Sequence, residues 1–124
     1  MSHVIGIDVG NFSVRGVLLD RHGKISATAR HHHAIRQPAA GLAEHAAQED
    51  WWPGFVSVIH QLLEQSRIRP KAIDALCCSL PEKTLLLLDQ AFNPLHPAIL
   101  GQLDSRAETG VAALRRQWPD RQLQ

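Results

Sequence analysis

Three side chains suited to phosphate chemistry lie close together near the start of the chain: Asp8, Ser13 and Arg15. They flank Gly10-Asn11, a dipeptide that readily takes the positive φ of a tight hairpin turn. A carboxylate can hold hydrated Mg²⁺, while a hydroxyl, a guanidinium and free turn amides can bind the oxygens of a polyphosphate. The simpler alternative, favoured by composition alone, is an ion pair between Asp8 and Arg15 on a solvated face.

A hairpin must position these groups. The runs Val4–Val9 and Phe12–Leu19 are rich in strand-forming residues, and they predict two antiparallel strands joined at Gly10-Asn11. A two-residue turn would place Asp8 opposite Ser13 and Gly6 opposite Arg15 on one face. The other face would be apolar and would join the core through Ile5, Ile7, Val9, Phe12 and Val14.

The remaining elements follow from apolar spacing and from glycine and proline. We predict the order βββαββα, an α/β layered domain. After the hairpin come a strand over 24–30, a loop over 31–48, a helix ending at Ser66, strands over 73–79 and 84–88, a helix from about Ala107 that Pro119 ends, and a tail over 119–124. Asp50 is the expected N-cap of the first helix, with Pro53 in its first turn.

Two further groups of residues could bind metals or undergo redox chemistry. His31–His33 are consecutive, but no HxxxH or CxxC spacing accompanies them, so we predict no specific zinc site. Cys77 and Cys78 would point to opposite faces of an extended segment, which indicates two buried, reduced thiols rather than a disulfide.

The overall composition sets limits on location and partners. The chain has 124 residues, of which 44% are hydrophobic and 20% charged, and its formal net charge is +1. This balance gives no electrostatic preference for nucleic acid or for an anionic membrane surface. We expect a single, cytoplasmic domain without a signal peptide or a membrane span.

Several stretches resemble one protein family. The segment Gly6–Arg15 is similar to the first phosphate motif of the FGGY carbohydrate kinases, the sugar and polyol kinases of the actin-like ATPase superfamily. Similarity to later family motifs follows in the same order, in Gly41–His45 before 49–52, in Leu87–Asp89 with 94–100, and in Asp104–Ala107. The resemblance implies a ribonuclease H-like α/β fold, with 1–124 as an incomplete N-terminal portion of the first lobe.

The resemblance also implies a function, the ATP-dependent phosphorylation of a sugar or polyol. The residues around the ATP phosphates would be Asp8, Gly10, Asn11, Ser13 and Arg15, with Asp8 toward Mg²⁺. Glu82 and Lys83, after the 73–79 strand, and Asp104 would contact the sugar or polyol. Glu82 and Lys83 could equally form a charged turn, and Asp104 or Ser105 with Glu108 could equally cap a helix.

The family comparison further implies that this chain lacks parts of the active site. The general base, a second phosphate motif and the adenosine pocket would lie beyond Gln124, so we expect no kinase activity from the chain alone. An uncovered lobe face would favour a homo-oligomer. The alternative is a non-catalytic module for ligand binding or association. Asn11-Phe12 suits this alternative, because the family usually has two threonines there.

Overall fold

The computed structural model describes residues 2–118, so the predicted tail and Pro119 lie outside the described residues. Two sheets and two helices make up the fold. The strands are β1 (His3–Val9), β2 (Ser13–Asp20), β3 (Ile25–His32), β4 (Glu44–His45), β5 (Ile73–Ser79), β6 (Thr84–Leu85) and β7 (Ala98–Leu100). The helices are α1 (Trp52–Ser66) and α2 (Glu108–Gln117), with a π-helical turn over Ala47–Trp51 and a 3₁₀ turn over Pro70–Ala72.

The larger sheet has the strand order β3-β2-β1-β5. The first three strands form the predicted antiparallel meander, and β5 returns parallel to β1 after α1. Helix α1 packs on one face of this sheet and closes the main core. The buried side chains of that core are Ile5, Ile7, Val9, Val14, Leu18, Ala27, Val58 and Leu62. The α/β architecture predicted from the sequence is therefore confirmed.

The register of β1 and β2 differs from the prediction. Val9 faces Val14 and Asp8 faces Arg15, so the turn spans four residues, 10–13, and the expected pairing of Asp8 with Ser13 is wrong. Phe12 is 62% exposed and does not join the core. Side chains alternate with a period of two, so registers two residues apart bury the same apolar positions and the hydrophobic pattern cannot separate them.

The predicted loop over 31–48 contains regular structure. β3 continues through His32, Arg36 pairs with Glu44 in an isolated bridge, and β4 follows. Asp50 is not the N-cap of α1: the helix begins at Trp52, and the Asp50 carboxylate instead accepts a hydrogen bond from the Ala46 N–H at 2.8 Å. Pro53 does lie in the first turn, and α1 ends at Ser66 as predicted.

The smaller sheet has the order β4-β7-β6. Its strands were hard to predict because they are two or three residues long. β6 stops at Leu85 rather than Leu88, which makes only an isolated bridge with Pro94. β7 was not predicted, since three apolar residues after a proline show no alternation. Short strands of this kind depend on partners that are distant in sequence.

Strand β5 has the predicted bounds but not the predicted burial. It lies at the edge of the larger sheet, and most of its residues are exposed, including Cys77 and Cys78. Both thiols are free, and they alternate across the strand beside Gly6 and Ile7 of β1. The expectation that the thiols are buried is therefore wrong for the described residues, because α1 packs mainly on β2 and β3 and leaves this edge open.

Candidate functional site

The site is built at one end of the larger sheet, where β1 finishes and β2 begins. Asp8 and Arg15 occupy directly opposed positions on neighbouring strands, and Arg15 Nη2 lies 3.1 Å from Asp8 Oδ2. Both side chains remain about half exposed, at 48% for Asp8 and 59% for Arg15. An exposed ion pair of this kind is worth little in stability, so either group can exchange its partner for a ligand.

The turn between the two strands is closed by a hydrogen bond from the Gly10 N–H to the Ser13 carbonyl oxygen at 2.9 Å. Ser13 is buried, whereas Phe12 projects into solvent. Within residues 2–118, the N–H groups of Asn11 and Phe12 have no hydrogen-bond partner. The turn therefore presents free amides beside the Asp8–Arg15 pair, as a concave anion site would require.

The carbonyl groups of the same turn are held by two histidines that the sequence analysis did not select. His33 Nε2 lies 2.9 Å from the Gly10 oxygen, and His45 Nε2 lies 2.9 Å from the Asn11 oxygen. These contacts join residues 23 and 34 positions apart. The three consecutive histidines 31–33 are unusual in the sequence. No local sequence pattern, however, indicates which carbonyl group each histidine ring contacts.

The candidate substrate residues follow the neighbouring parallel strand. Asp8 is paired with Ser79 at the carboxyl end of β5, and the turn with Glu82 and Lys83 begins three residues later. Both side chains are exposed. Lys83 has a positive φ of 53°, and its carbonyl oxygen accepts a hydrogen bond from the Gly101 N–H at 2.9 Å. The carboxyl ends of parallel strands are the usual ligand edge of a sheet.

An open depression of about 440 Å³ lies on the sheet beside the Asp8–Arg15 pair. Its lining combines these two charges with backbone and small side chains of β1, β2 and β5, including Gly6, Cys77 and Ser79. The free amides, the ion pair and the Glu82–Lys83 turn thus share one end of the sheet. Asp104 does not belong to this group.

Asp104 is part of a separate ion-pair network. Its carboxylate accepts hydrogen bonds from Arg106 Nε and Nη2, both at 2.7 Å, and from the Ala43 N–H at 2.7 Å. The Arg106 guanidinium, together with these N–H donors, holds the pKa of Asp104 well below its usual range. Arg106 also bonds Glu44 Oε1 at 2.6 Å. The helix-cap alternative is wrong, because α2 has Ala107 as its N-cap and no side-chain cap.

A divalent cation could approach only some of these residues. Among the described residues, no group of three or more His, Cys, Asp or Glu side chains is arranged to hold a metal ion. Mg²⁺ in phosphoryl-transfer sites does not need such a cage, since it keeps waters and bridges one carboxylate to substrate phosphates. Asp8 fits that role because its carboxylate is exposed beside a turn with free amides.

Comparison with known proteins identifies the family. Residues 3–124 match the N-terminal domain of the FGGY family of carbohydrate kinases. The chain is 34% identical over 120 residues to the probable L-xylulose kinase of Pasteurella multocida (strain Pm70), an alignment that covers 97% of this chain and 24% of that protein. It is 36% identical over 118 residues to the glycerol kinase of Methylobacterium radiotolerans, covering 94% and 23% of the two chains.

Solved structures agree with this assignment. The crystal structure of xylulose kinase from Rhodospirillum rubrum superposes with a TM-score of 0.84 at 26% identity, covering 96% of this chain and 24% of that one. The gluconate kinase from Lactobacillus acidophilus gives 0.84 at 26% identity, with coverage of 94% and 23%. The chain belongs to the FGGY family of carbohydrate kinases and has part of their actin-like fold. It spans about a quarter of the length of these relatives.

Proposed function

We propose that this chain provides phosphate-binding and substrate-facing parts of a kinase that transfers the γ-phosphoryl group of ATP to a sugar or polyol. The observation that carries the proposal is the Asp8–Arg15 pair beside the free amides of the 10–13 turn, in a chain of the carbohydrate kinase family. A reaction that consumes ATP also favours a cytoplasmic location.

Side chains and backbone amides of this chain would bind different parts of the Mg·ATP phosphate group. The Arg15 guanidinium would leave Asp8 and neutralise phosphate oxygens, while the N–H groups of Asn11 and Phe12 would donate hydrogen bonds to them. The Asp8 carboxylate, released from Arg15, would accept hydrogen bonds from the waters of bound Mg²⁺, which supplies charge neutralisation to the triphosphate. The Gly10 N–H keeps the turn closed through its hydrogen bond to the carbonyl oxygen of the buried Ser13.

Glu82 and Lys83 are the best candidates for contact with the acceptor. A carboxylate accepts hydrogen bonds from hydroxyl groups and an ammonium donates to them, so the pair suits a molecule with neighbouring hydroxyls. The oxygens of Asp104 are already bonded to Arg106 and Ala43. We therefore propose that any contribution of Asp104 to the acceptor site is made through the position of the 43–44 segment.

Phosphoryl transfer requires both substrates to be positioned and the moving charge to be neutralised on several sides. Because the chain spans about a quarter of its relatives, we propose that it binds phosphate groups without catalysing transfer by itself. The test is incubation of the 124-residue chain with Mg·ATP and a panel of pentuloses and polyols. No sugar-dependent release of ADP is expected, and steady release would overturn this part of the proposal.

Binding of Mg·ATP to the chain tests the phosphate site directly. Asp8→Asn and Arg15→Gln should each weaken binding roughly tenfold, since each removes a charge-assisted contact at an exposed site. Arg21→Gln is the matched control, because Arg21 is exposed on the β2–β3 turn and, within residues 2–118, its side chain bonds only the neighbouring His22. Titration calorimetry gives the affinities. Equal affinity in all four proteins would contradict the proposed site and favour a non-catalytic association module.

A further inference from the structure

The first three carbonyl groups of the turn between β1 and β2 all accept hydrogen bonds from histidines. Gly10 O accepts from His33 Nε2 and Asn11 O from His45 Nε2, each at 2.9 Å. The Phe12 oxygen accepts from the backbone N–H of His33 at 3.1 Å. His33 directly follows β3 and His45 lies in β4, so two separate elements together hold three consecutive peptide groups.

Fixing a carbonyl also fixes the amide that follows it. A trans peptide is planar, and its C=O and N–H point in opposite directions. The described chain has no cis peptide bonds. The carbonyls of Gly10 and Asn11 point at the histidine rings, so the N–H groups of Asn11 and Phe12 point away from them. These are the same two amides that lack a partner within residues 2–118.

The rings are themselves held firmly. His45 is completely buried, and its second nitrogen, Nδ1, lies 3.4 Å from Asp50 Oδ2. Asp50 is fixed in turn by Arg36 and by the Ala46 N–H, whose hydrogen bonds keep the pKa of the carboxyl below its usual value although burial acts to raise it. The His33 and His45 rings meet edge to face, with centroids 4.8 Å apart.

His33 contacts the turn through one ring nitrogen, Nε2. Its Nδ1 is buried and has no hydrogen-bond partner among the described residues, so Nε2 makes the only polar contact of the ring. A carbonyl oxygen can only accept, so Nε2 must carry the proton. Burial lowers the pKa of His33, and the neighbouring His45 lowers it further, which favours the neutral ring with that single proton.

We propose that His33 and His45 are positioning residues that aim the amides of Asn11 and Phe12 at an anionic ligand, by holding the opposite ends of the same peptide groups. The identity of the ligand as a polyphosphate rests on the proposed function. The positioning itself rests on the hydrogen bonds described above. An apolar ring of similar size would fill the same space but would leave the turn carbonyls free to rotate.

Paired substitutions separate hydrogen bonding from packing. His33→Leu and His45→Leu keep apolar volume and remove the donor, whereas His33→Gln and His45→Gln retain an N–H near the position of Nε2. His60→Leu is the control, because His60 is exposed on α1. Two measurements are made on the 124-residue chain: ¹⁵N relaxation of the amides at positions 11–13 without ligand, and affinity for inorganic tripolyphosphate.

The leucine variants should loosen the turn amides and weaken tripolyphosphate binding roughly two- to tenfold each, the loss of one hydrogen bond. The glutamine variants should recover much of both properties, and His60→Leu should change neither. The imidazole ¹⁵N spectrum of the wild-type chain should show a protonated Nε2 on His33. Unaltered turn dynamics in both leucine variants, or an unprotonated Nε2, would overturn the proposal.

The two measurements also keep this inference distinct from the proposed function. Turn dynamics are recorded without any phosphate, so they test the positioning role even in a chain that binds no nucleotide. Loosened turn amides in the leucine variants support positioning. A wild-type chain that binds neither tripolyphosphate nor Mg·ATP would overturn the phosphate ligand and the proposed function together.

Discussion

Two groups of charged side chains differ in whether their partners lie within the fold or in solvent. In the first group, Arg36 bonds Asp50 and Arg106 bonds Glu44, and these ion pairs tie separate segments together. A second set faces solvent at one end of the larger sheet: Asp8, Arg15, Glu82 and Lys83. Charges already engaged in the fold are poorly placed to exchange partners, so the solvent-facing set is where ligand contacts are expected.

The protonation of His33 gives a prediction about pH. Burial of the ring lowers its pKa below the ordinary value of 6.5, as do His45 and His31, while the Gly10 carbonyl and Asp50 act in the opposite direction. The unfolded chain then binds the proton more readily than the folded chain just below pH 6.5. Stability should therefore fall as pH decreases through this window and be regained as pH rises above it.

His33→Gln should flatten this part of the pH dependence, because glutamine does not titrate. The free energy of unfolding, measured in urea at several values between about pH 5 and 7, is the appropriate readout. His60→Gln serves as the control at an exposed position and should leave the slope unchanged. A His33→Gln protein with the wild-type slope would show that His33 is not the group responsible.

At the scale of elements, α1 and β2 are in such close contact that one glycine is required between them. A Cβ at Gly16 would lie 2.4 Å from Val58 Cγ1 and 3.0 Å from Leu62 Cδ1. Val58 and Leu62 are both fully buried, so their side chains have little room to move. The absence of a side chain at Gly16 therefore sets how closely the helix approaches the sheet.

Gly16→Ala should lower the free energy of unfolding by about 1–3 kcal/mol, the usual cost of overpacking a core. Gly110→Ala is the matched control, since an added Cβ there meets nothing within 4 Å and the residue lies inside α2. That substitution should stabilise by about 0.5–1 kcal/mol through helix propensity. Urea unfolding measures both. Equal stability of the two variants would contradict the close approach of α1.

The local sequence predicts some of the helices and strands correctly and misses others. The meander and α1 were predicted because each carries a long periodic pattern, and the end of α1 at Ser66 was correct. β4 and β7 were missed, since two or three residues are too few to show any period. The turn over Ala47–Trp51 was also missed, because its π-helical hydrogen bonding has no compositional signature.

At the scale of the whole molecule, one edge of the larger sheet is left uncovered by the rest of residues 2–118. Strand β5 forms that edge, and two leucines there are exposed: Leu76 on the strand and Leu80 directly after it. An open strand offers unpaired backbone groups as well as apolar side chains to another chain.

No helix in the described residues is long and apolar enough to cross a membrane.

We expect the chain to self-associate through this edge. Leu76→Lys with Leu80→Lys should shift the protein toward monomer, because charged side chains at a sheet edge oppose pairing with a second copy. Phe92→Lys is the control, since Phe92 is more exposed than either leucine but lies outside the segment 73–80. Sedimentation velocity over a range of concentrations measures the change. A wild-type chain that stays monomeric at every concentration would contradict the prediction.

Local patterns in the sequence were enough to indicate the family, the order of the main elements and the residues flanking the candidate phosphate turn. These features are carried by short-range patterns: alternation in strands, helical spacing in α1, and the motif from Gly6 to Arg15. A period of two or of 3.6 is a property of neighbouring residues, so it can be detected without knowing what each face meets.

Three features became apparent only in the folded chain: the four-residue turn, the exposure of β5, and the contacts of His33 and His45 with that turn. Each depends on residues far apart in the chain. Alternation left two registers equivalent, and apolar composition could not show that α1 leaves β5 uncovered. The histidine contacts arise because the ends of β3 and β4 converge on the hairpin, and that convergence exists only once the chain has folded.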